Sequence, residues 1–173
     1  VQWQMRPYKT LDDVFEQVEF FVDAVSDYKS DFILFPEYFN APLMAKFNHL
    51  GEAQSIRGLA QYTEEIRERF VNLAISYNIN IITGSMPLLK EDGALYNVGY
   101  LIRRDGSYEM YEKVHVTPDE QKSWGLSGGK MVKTFDTDCA RIGVLICYDV
   151  EFPELSRIMA DQGMQILFVP FLM

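Results

Sequence analysis

Near the start of the chain, apolar residues recur at helical spacing. In "TLDDVFEQVEFFVDAVSDY", Leu11, Val14, Phe15, Val18, Phe21, Val22 and Val25 share one face, and Thr10 with Asp13 is placed as a capping box. "TEEIRERFVNLAISYN" predicts a second helix with an apolar stripe of Ile66, Phe70, Leu73, Ala74 and Tyr77, capped by Thr63 with acids in its first turn. "FPELSRIMADQG" predicts a third, with Pro153 early and Gly163 at its end. Between them lie short continuous apolar runs, "DFILFPE", "INIITGS" and "MQILFVP", which predict strands buried on both faces; Gly84 breaks the second. "LYNVGYLIRRDGSYEMYEKVHV" reads as a hairpin turning at Asp105-Gly106, and "MVKTFDTDCARIGVLIC" as a hairpin turning near Asp136 to Asp138. "VQWQM" reads as a strand met partway, residues 38–58 as a loop with a short helix, and "SWGLSGGK" as a Gly- and Ser-rich loop. Strands and helices alternate, with hairpins inserted, which predicts an α/β layered architecture with a mixed sheet. No repeat or low-complexity tract interrupts it.

Composition narrows the class. The chain has 173 residues, 48% hydrophobic and 24% charged, which suits one soluble globular domain over residues 1–173. No apolar run reaches the roughly 18 residues that span a bilayer, and no signal peptide is visible, so neither a membrane partner nor export is expected. The net charge of −9, with no cluster of Lys and Arg, argues against nucleic acid. The two cysteines, Cys139 and Cys147, are spaced along an expected strand, so a disulfide is not expected and a cytoplasmic setting is the simplest. His49 and His115 make no zinc pattern with them, and no metal or other cofactor is implied. Val1 is not an initiator Met, and "QILFVPFLM" stops before any closing helix. The sequence is therefore expected to be part of a longer chain.

Three positions carry candidate chemistry. Cys147 ends the strand "RIGVLI" and precedes a helix, the edge of α/β folds where ligands bind. A strand-to-helix turn presents a nucleophile and leaves backbone N–H groups free for an oxyanion; a buried structural cysteine is the plainer alternative. Glu37 follows the strand "FILFP" in the same kind of place, where a partly desolvated carboxylate serves as a base. Lys113 ends "SYEMYEKV"; on its own it reads as a solvated lysine at a strand end. His115 is given no catalytic role, and Glu120 alone reads as surface charge. Asp149, Glu151 and Glu154 crowd the segment after Cys147. If ionised they raise the thiol's pKa, whereas helix N-terminal N–H groups lower it; the sequence leaves the balance open.

Taken in order, "LFPEYF", "YEKVH" and "CYDVEFPE" resemble the three signatures of the carbon–nitrogen hydrolase, or nitrilase, superfamily. "VQWQM", "GSMP" and "LYNVGYLI" resemble its intervening segments, so the resemblance covers essentially the whole chain. It implies an α-β-β-α sandwich of two mixed sheets, of which this chain matches the first three-fifths. It also implies Glu37 as general base, Lys113 and the Tyr148 backbone N–H as transition-state stabilisers, and Cys147 as nucleophile. Glu120 matches a second active-site glutamate. Tyr38, Phe39, Tyr111 and Trp124 are candidate pocket aromatics. The implied reaction is cysteine-dependent hydrolysis of a small linear amide through a thioester. A nitrile, an N-carbamoyl compound or acyl transfer are alternatives within the superfamily. A catalytically inactive or regulatory nitrilase-like module is a further alternative; outside the superfamily stands a thiol redox protein, for which a resolving cysteine close to Cys147 is lacking. Relatives are often dimers or larger, so a homo-oligomer is expected.

Overall fold

The computed structural model describes residues 1–172. Two sheets stack face to face. The first holds β1 (Phe32–Leu34), β2 (Asn80–Ile82), β3 (Met86–Leu89), β4 (Leu95–Ile102), β5 (Tyr108–Glu112) and β6 (Leu126–Ser127). β4 is its spine. β2 and β3 pair with β4 antiparallel along one edge; β5, antiparallel, and β6, parallel, take the other. β1 runs parallel to β2. The second sheet holds β7 (Thr134–Asp136), β8 (Arg141–Val144) and β9 (Ile166–Phe168), with β7 antiparallel and β9 parallel to β8.

Alternation along each strand assigns side chains to layers. Ile81, Val98, Tyr100 and Ile102 face a core shared with α1 (Leu11–Asp27), α2 (Glu52–Leu59) and α3 (Thr63–Ser76). Ile82, Leu101 and Tyr111 face the other way, against Phe135, Ile142 and Val144 of the second sheet. α4 (Pro153–Asp161) covers that sheet's outer face through Leu155 and Met159. The order is helices, sheet, sheet, helix: the α-β-β-α sandwich with mixed sheets. Burial on both faces explains why β1 and β2 read as unbroken apolar runs. No helix among the described residues is long and apolar enough to cross a membrane.

Local chemistry agrees with most of the expected elements. Thr10 Oγ1 accepts from the Asp13 N–H at 3.1 Å, and Asp13 Oδ2 accepts from the Thr10 N–H at 2.9 Å, a reciprocal capping box. Both hairpins form, with Ile102 opposite Tyr108 and Asp136 opposite Arg141. Cys139 sits exposed in the second turn rather than on a strand, and both it and Cys147 are free thiols.

Three expectations are corrected. "VQWQM" forms no strand: the Val1 nitrogen donates to the Leu34 carbonyl at 2.9 Å, one contact rather than a ladder, while Trp3 packs on Phe35 and Phe39. Thr63 does not cap α3. A helical turn at Ala60–Tyr62 leads straight in from α2, and the buried Thr63 hydroxyl instead donates to the Pro87 carbonyl at 2.6 Å. β9 is not buried; Ile166 is 39% exposed, because β9 pairs with β8 alone among the described residues. The run "INIITGS", by contrast, is broken as expected, and "MPLL" beyond it forms β3.

The break falls at Gly84, whose φ is 72°. A Cβ there would lie 2.0 Å from the Pro36 carbonyl oxygen. The turn thus lets the chain pass directly against the segment that carries Glu37. Gly84→Ala is expected to lower stability by more than the roughly 1–2 kcal/mol of a left-handed residue alone, because the backbone of Pro36 must also shift. A urea midpoint within error of the parent protein would contradict this.

Candidate active site

The sandwich gathers four side chains from four connections. Glu37 follows β1, Lys113 follows β5, Glu120 opens a π-helical turn (Glu120–Trp124), and Cys147 follows β8 at the start of a 3-10 turn (Cys147–Glu151). Lys113 is 1% exposed, Glu37 3% and Glu120 5%. A buried ammonium needs partners, and here it has two carboxylates. Lys113 Nζ donates to Glu37 Oε1 at 2.7 Å and to Glu120 Oε1 and Oε2 at 3.0 and 2.9 Å.

Neutral donors complete the network. Asn97 Nδ2 donates to Glu37 Oε1 at 3.0 Å and to Glu120 Oε1 at 3.4 Å. The Tyr38 hydroxyl donates to Glu120 Oε1 at 3.0 Å, and the Thr117 N–H donates to Glu120 Oε2 at 2.7 Å. Asn97 is the residue that sequence reasoning missed. Its signal was present: it is the one amide side chain in "LYNVGYLI", a strand buried on both faces, where an amide must find polar partners.

Backbone geometry sets the reactive edge. Cys147 has φ 47° and Tyr38, next to Glu37, has φ 50°. Such left-handed non-glycine residues cost about 1–3 kcal/mol each and persist only where their surroundings hold them. The Cys147 N–H donates to the Pro170 carbonyl at 2.9 Å. The first intrahelical donor of the turn is the Asp149 N–H, which reaches the Ile146 carbonyl at 3.0 Å. The Tyr148 N–H comes before it and has no intrahelical acceptor. On the lysine side, the Gly129 N–H donates to the Lys113 carbonyl at 2.8 Å. A Cβ on Gly128 would lie 2.3 Å from the Val114 carbonyl oxygen, so the loop "SGGK" lies flat over the Lys113 segment.

Electrostatics fixes the charge states. Burial alone would lower the Lys113 pKa, but the charge of Glu37 and the hydrogen bonds that Lys113 donates to both carboxylates outweigh it and hold the ammonium above its ordinary range. Burial would raise Glu120; the Lys113 and Thr117 hydrogen bonds prevail and hold it below the usual carboxylate range. The Cys147 thiol is pushed up, first by burial and then by the negative charge of Glu37, with Lys113 partly opposing. Burial and the Glu37 charge thus favour the thiol over the thiolate, and the largest charge acting on it comes from Glu37 rather than from the acids that follow it. Of those, Glu151 and Glu154 are exposed, and Asp149 is buried.

The shifts carry stability with a defined sign. Glu120, depressed in the fold, stabilises above its unfolded pKa, and that stability is lost as pH falls through its folded value. Lys113, raised in the fold, stabilises below its unfolded pKa, and that stability is lost as pH rises through its folded value. Lys113→Met is accordingly expected to cost about 3–5 kcal/mol at neutral pH, by leaving two buried carboxylates without their cation. The loss should shrink on acidification, as those carboxylates protonate. Denaturant midpoints across pH check this, and a loss that does not depend on pH between acid and neutral solution would contradict it.

The predicted pocket aromatics separate. Tyr38 touches Glu120, and its ring meets Trp124 edge-on at 5.5 Å, so both border the buried carboxylates. Phe39 does not line a pocket: it is fully buried against Trp3, Phe35 and Phe70. Tyr111 is likewise a core residue, its hydroxyl donating to the Gly84 carbonyl at 2.6 Å. The cavity that opens on Cys147, about 440 Å³, is walled instead by Thr117, Tyr148, Val150, Glu151, Val169 and Phe171. His115 stands outside the cluster, its ring stacked on Phe152 with centroids 3.7 Å apart. Among the described residues no group of three or more His, Cys, Asp or Glu side chains is placed to hold a metal ion.

Known proteins share this arrangement of chain and fold. Residues 2–173 match the carbon-nitrogen hydrolase family. A probable hydrolase, YhcX, of Bacillus subtilis is 45% identical over 171 residues, covering 99% of this chain and 33% of the relative. The omega-amidase NIT2 of Homo sapiens is 32% identical over 183 residues, covering 98% of this chain and 61% of the relative. The crystal structure of Saccharomyces cerevisiae Nit3, a nitrilase-superfamily member, superimposes with a TM-score of 0.83 at 24% identity, over 100% of this chain and 63% of that one. The chain thus spans less than two thirds of the length of these relatives. With the match running from Gln2 to the last residue, the chain belongs to the carbon–nitrogen hydrolase family.

Proposed function

We propose that this site hydrolyses a non-peptide carbon–nitrogen bond, with a small linear amide as substrate and a thioester on Cys147 as the intermediate. The observation that carries the reading is a buried lysine shared by two carboxylates, one of which raises the pKa of a thiol on a strained strand-to-helix turn. An amide is a poor electrophile, so it calls for a strong nucleophile and a held oxyanion. A resting thiol supplies the nucleophile only if its proton leaves during attack.

Glu37 takes that proton as Cys147 Sγ bonds to the carbonyl carbon. The carbonyl π pair moves to oxygen, where Lys113 and the Tyr148 N–H stabilise the charge. The intermediate collapses, the carbon–nitrogen bond breaks, and Glu37 passes its proton to the departing nitrogen. Ammonia or an amine leaves. Water then attacks the thioester while Glu37 accepts one of its protons. The carbon–sulfur bond breaks, sulfur recovers the proton from Glu37, and the acid is released.

The second carboxylate has a physical use in this sequence. When Glu37 is protonated it no longer balances the ammonium, but Glu120 stays bonded to Lys113 and keeps it charged and in place. The small cavity at Cys147, with Val150, Val169 and Phe171 in its walls, suits a short acyl chain. The similarity to an omega-amidase supports an amide over a nitrile. Ammonia release from a panel of short amides and nitriles tests the reading, with peroxide consumption measured in parallel. Release from amides is the expected result. Peroxide consumption without ammonia release would overturn it.

A further inference from the structure

Lys113 and Cys147 lie on different sheets, and a catalytic pair split between layers needs a fixed link. The hydrogen bonds that hold Lys113 engage Glu37 and Glu120, with Asn97 beside them, all on or following elements of the first sheet. A backbone link across the stack comes from Asp149, two residues after Cys147 in the same 3-10 turn. Its side chain is fully buried. Oδ2 accepts from the Val114 N–H at 3.1 Å and Oδ1 from the His115 N–H at 2.7 Å. These are the two residues directly after Lys113. The His115 ring adds a contact from Nδ1 to Asp149 Oδ1 at 3.2 Å and stacks on Phe152, at the far end of the same turn. A side chain two positions from the thiol thus grips the backbone beside the ammonium.

We infer that Asp149 is a positioning residue that locks the Lys113 strand end to the Cys147 turn, so that ammonium and thiol keep one separation through the reaction. This rests on the reading of Cys147 and Lys113 as nucleophile and oxyanion stabiliser. Asp149 touches no substrate; it acts through two N–H groups. A carboxylate is suited to the task because both of its oxygens accept, whereas an asparagine presents one acceptor and one N–H donor to two N–H donors. Burial raises the Asp149 pKa, against the backbone bonds that lower it, which marks the carboxylate as held there at a cost in desolvation. Nothing in a helix start of this kind requires a fully buried acid; the two neighbours Glu151 and Glu154 are exposed.

The test compares Asp149→Asn with the parent enzyme in the full chain, beside Cys147→Ala as the control for the underlying reading. Misplacement by about 1 Å costs on the order of 10²-fold, so kcat should fall by about that factor while KM changes little. The pH midpoint for alkylation of Cys147 should also rise, because Lys113 in place holds the thiol pKa down. A residue that merely stabilised the fold would leave that midpoint where it was. Hydrogen exchange on the parent protein gives a reading that does not depend on the variant folding: the Val114 and His115 amides should be as protected as those of β8. Parental kcat and alkylation midpoint in Asp149→Asn, or fast exchange at Val114 and His115, would overturn the inference. Turnover that survives in Cys147→Ala would instead overturn the reading beneath it.

Discussion

Cys147→Ala is expected to reduce amide turnover to background while leaving the fold intact. Removal of a covalent nucleophile costs about 10⁶-fold in hydrolases that work through an acyl intermediate, because the remaining groups act as a unit around it. The site gives no substitute. Cys139 is exposed in the β7–β8 turn, remote from the Lys113 network. The half-buried Cys147 loses little packing on truncation, so its thermal midpoint should stay near the parent value. Cys147→Ser keeps the geometry with a poorer nucleophile, and is expected to bind substrate with turnover too slow to compete. Rates within tenfold of the parent for the alanine variant would remove Cys147 from the reaction.

Glu37→Gln should lower kcat by about 10²–10⁴-fold, the usual size of general-base help. The amide still accepts from Lys113 and keeps the site filled, but it cannot take the thiol's proton. A second consequence has the opposite sign to a simple loss. The charge of Glu37 is one of the causes that raise the Cys147 pKa, and Lys113 opposes it. With the charge gone and Lys113 still present, the thiol should ionise at lower pH. Iodoacetamide alkylation of Cys147 in Glu37→Gln is therefore expected to reach half-maximal rate at lower pH than in the parent enzyme, even as hydrolysis fails. An unchanged or higher midpoint would mean that Glu37 does not act on the thiol.

The same residues show what the sequence made legible. The turn at Asp105-Gly106, the Thr10–Asp13 box and the Pro153 helix start are local chemistry, and all three form as read. Strand ends mark Glu37, Lys113 and Cys147 as candidates, but Lys113 taken singly reads as a solvated lysine; what sets the three apart is that "LFPEYF", "YEKVH" and "CYDVEFPE" occur in order. Glu120, which alone reads as surface charge, is bonded to Lys113 by both oxygens. Phe39 was misplaced because an aromatic beside a site residue reads as pocket lining. The left-handed Tyr38 breaks the strand's alternation, and Phe39 turns into the helix-side core.

Other features lay beyond any local reading. Val169 and Phe171 reach the cavity because β9 runs parallel to β8, with Phe168 opposite Val144, a pairing between distant segments. The sign of the thiol's shift was open for the same reason. The sequence shows three acids just after Cys147, but Glu154 is exposed, Glu151 is exposed at the rim of the cavity, and Asp149 grips the Lys113 backbone. The charge that matters arrives from Glu37, across the stack of sheets.

The central claim is that Cys147 carries the acyl group. Its direct measurement is intact mass spectrometry of the full chain after rapid quenching with a short linear amide, followed by mapping of the modified peptide. The account predicts a mass increase equal to the acyl group, located on Cys147, removed by hydroxylamine and absent from Cys147→Ala. An acyl group on Cys139, or steady ammonia release under single-turnover quenching with no adduct at Cys147, would contradict it.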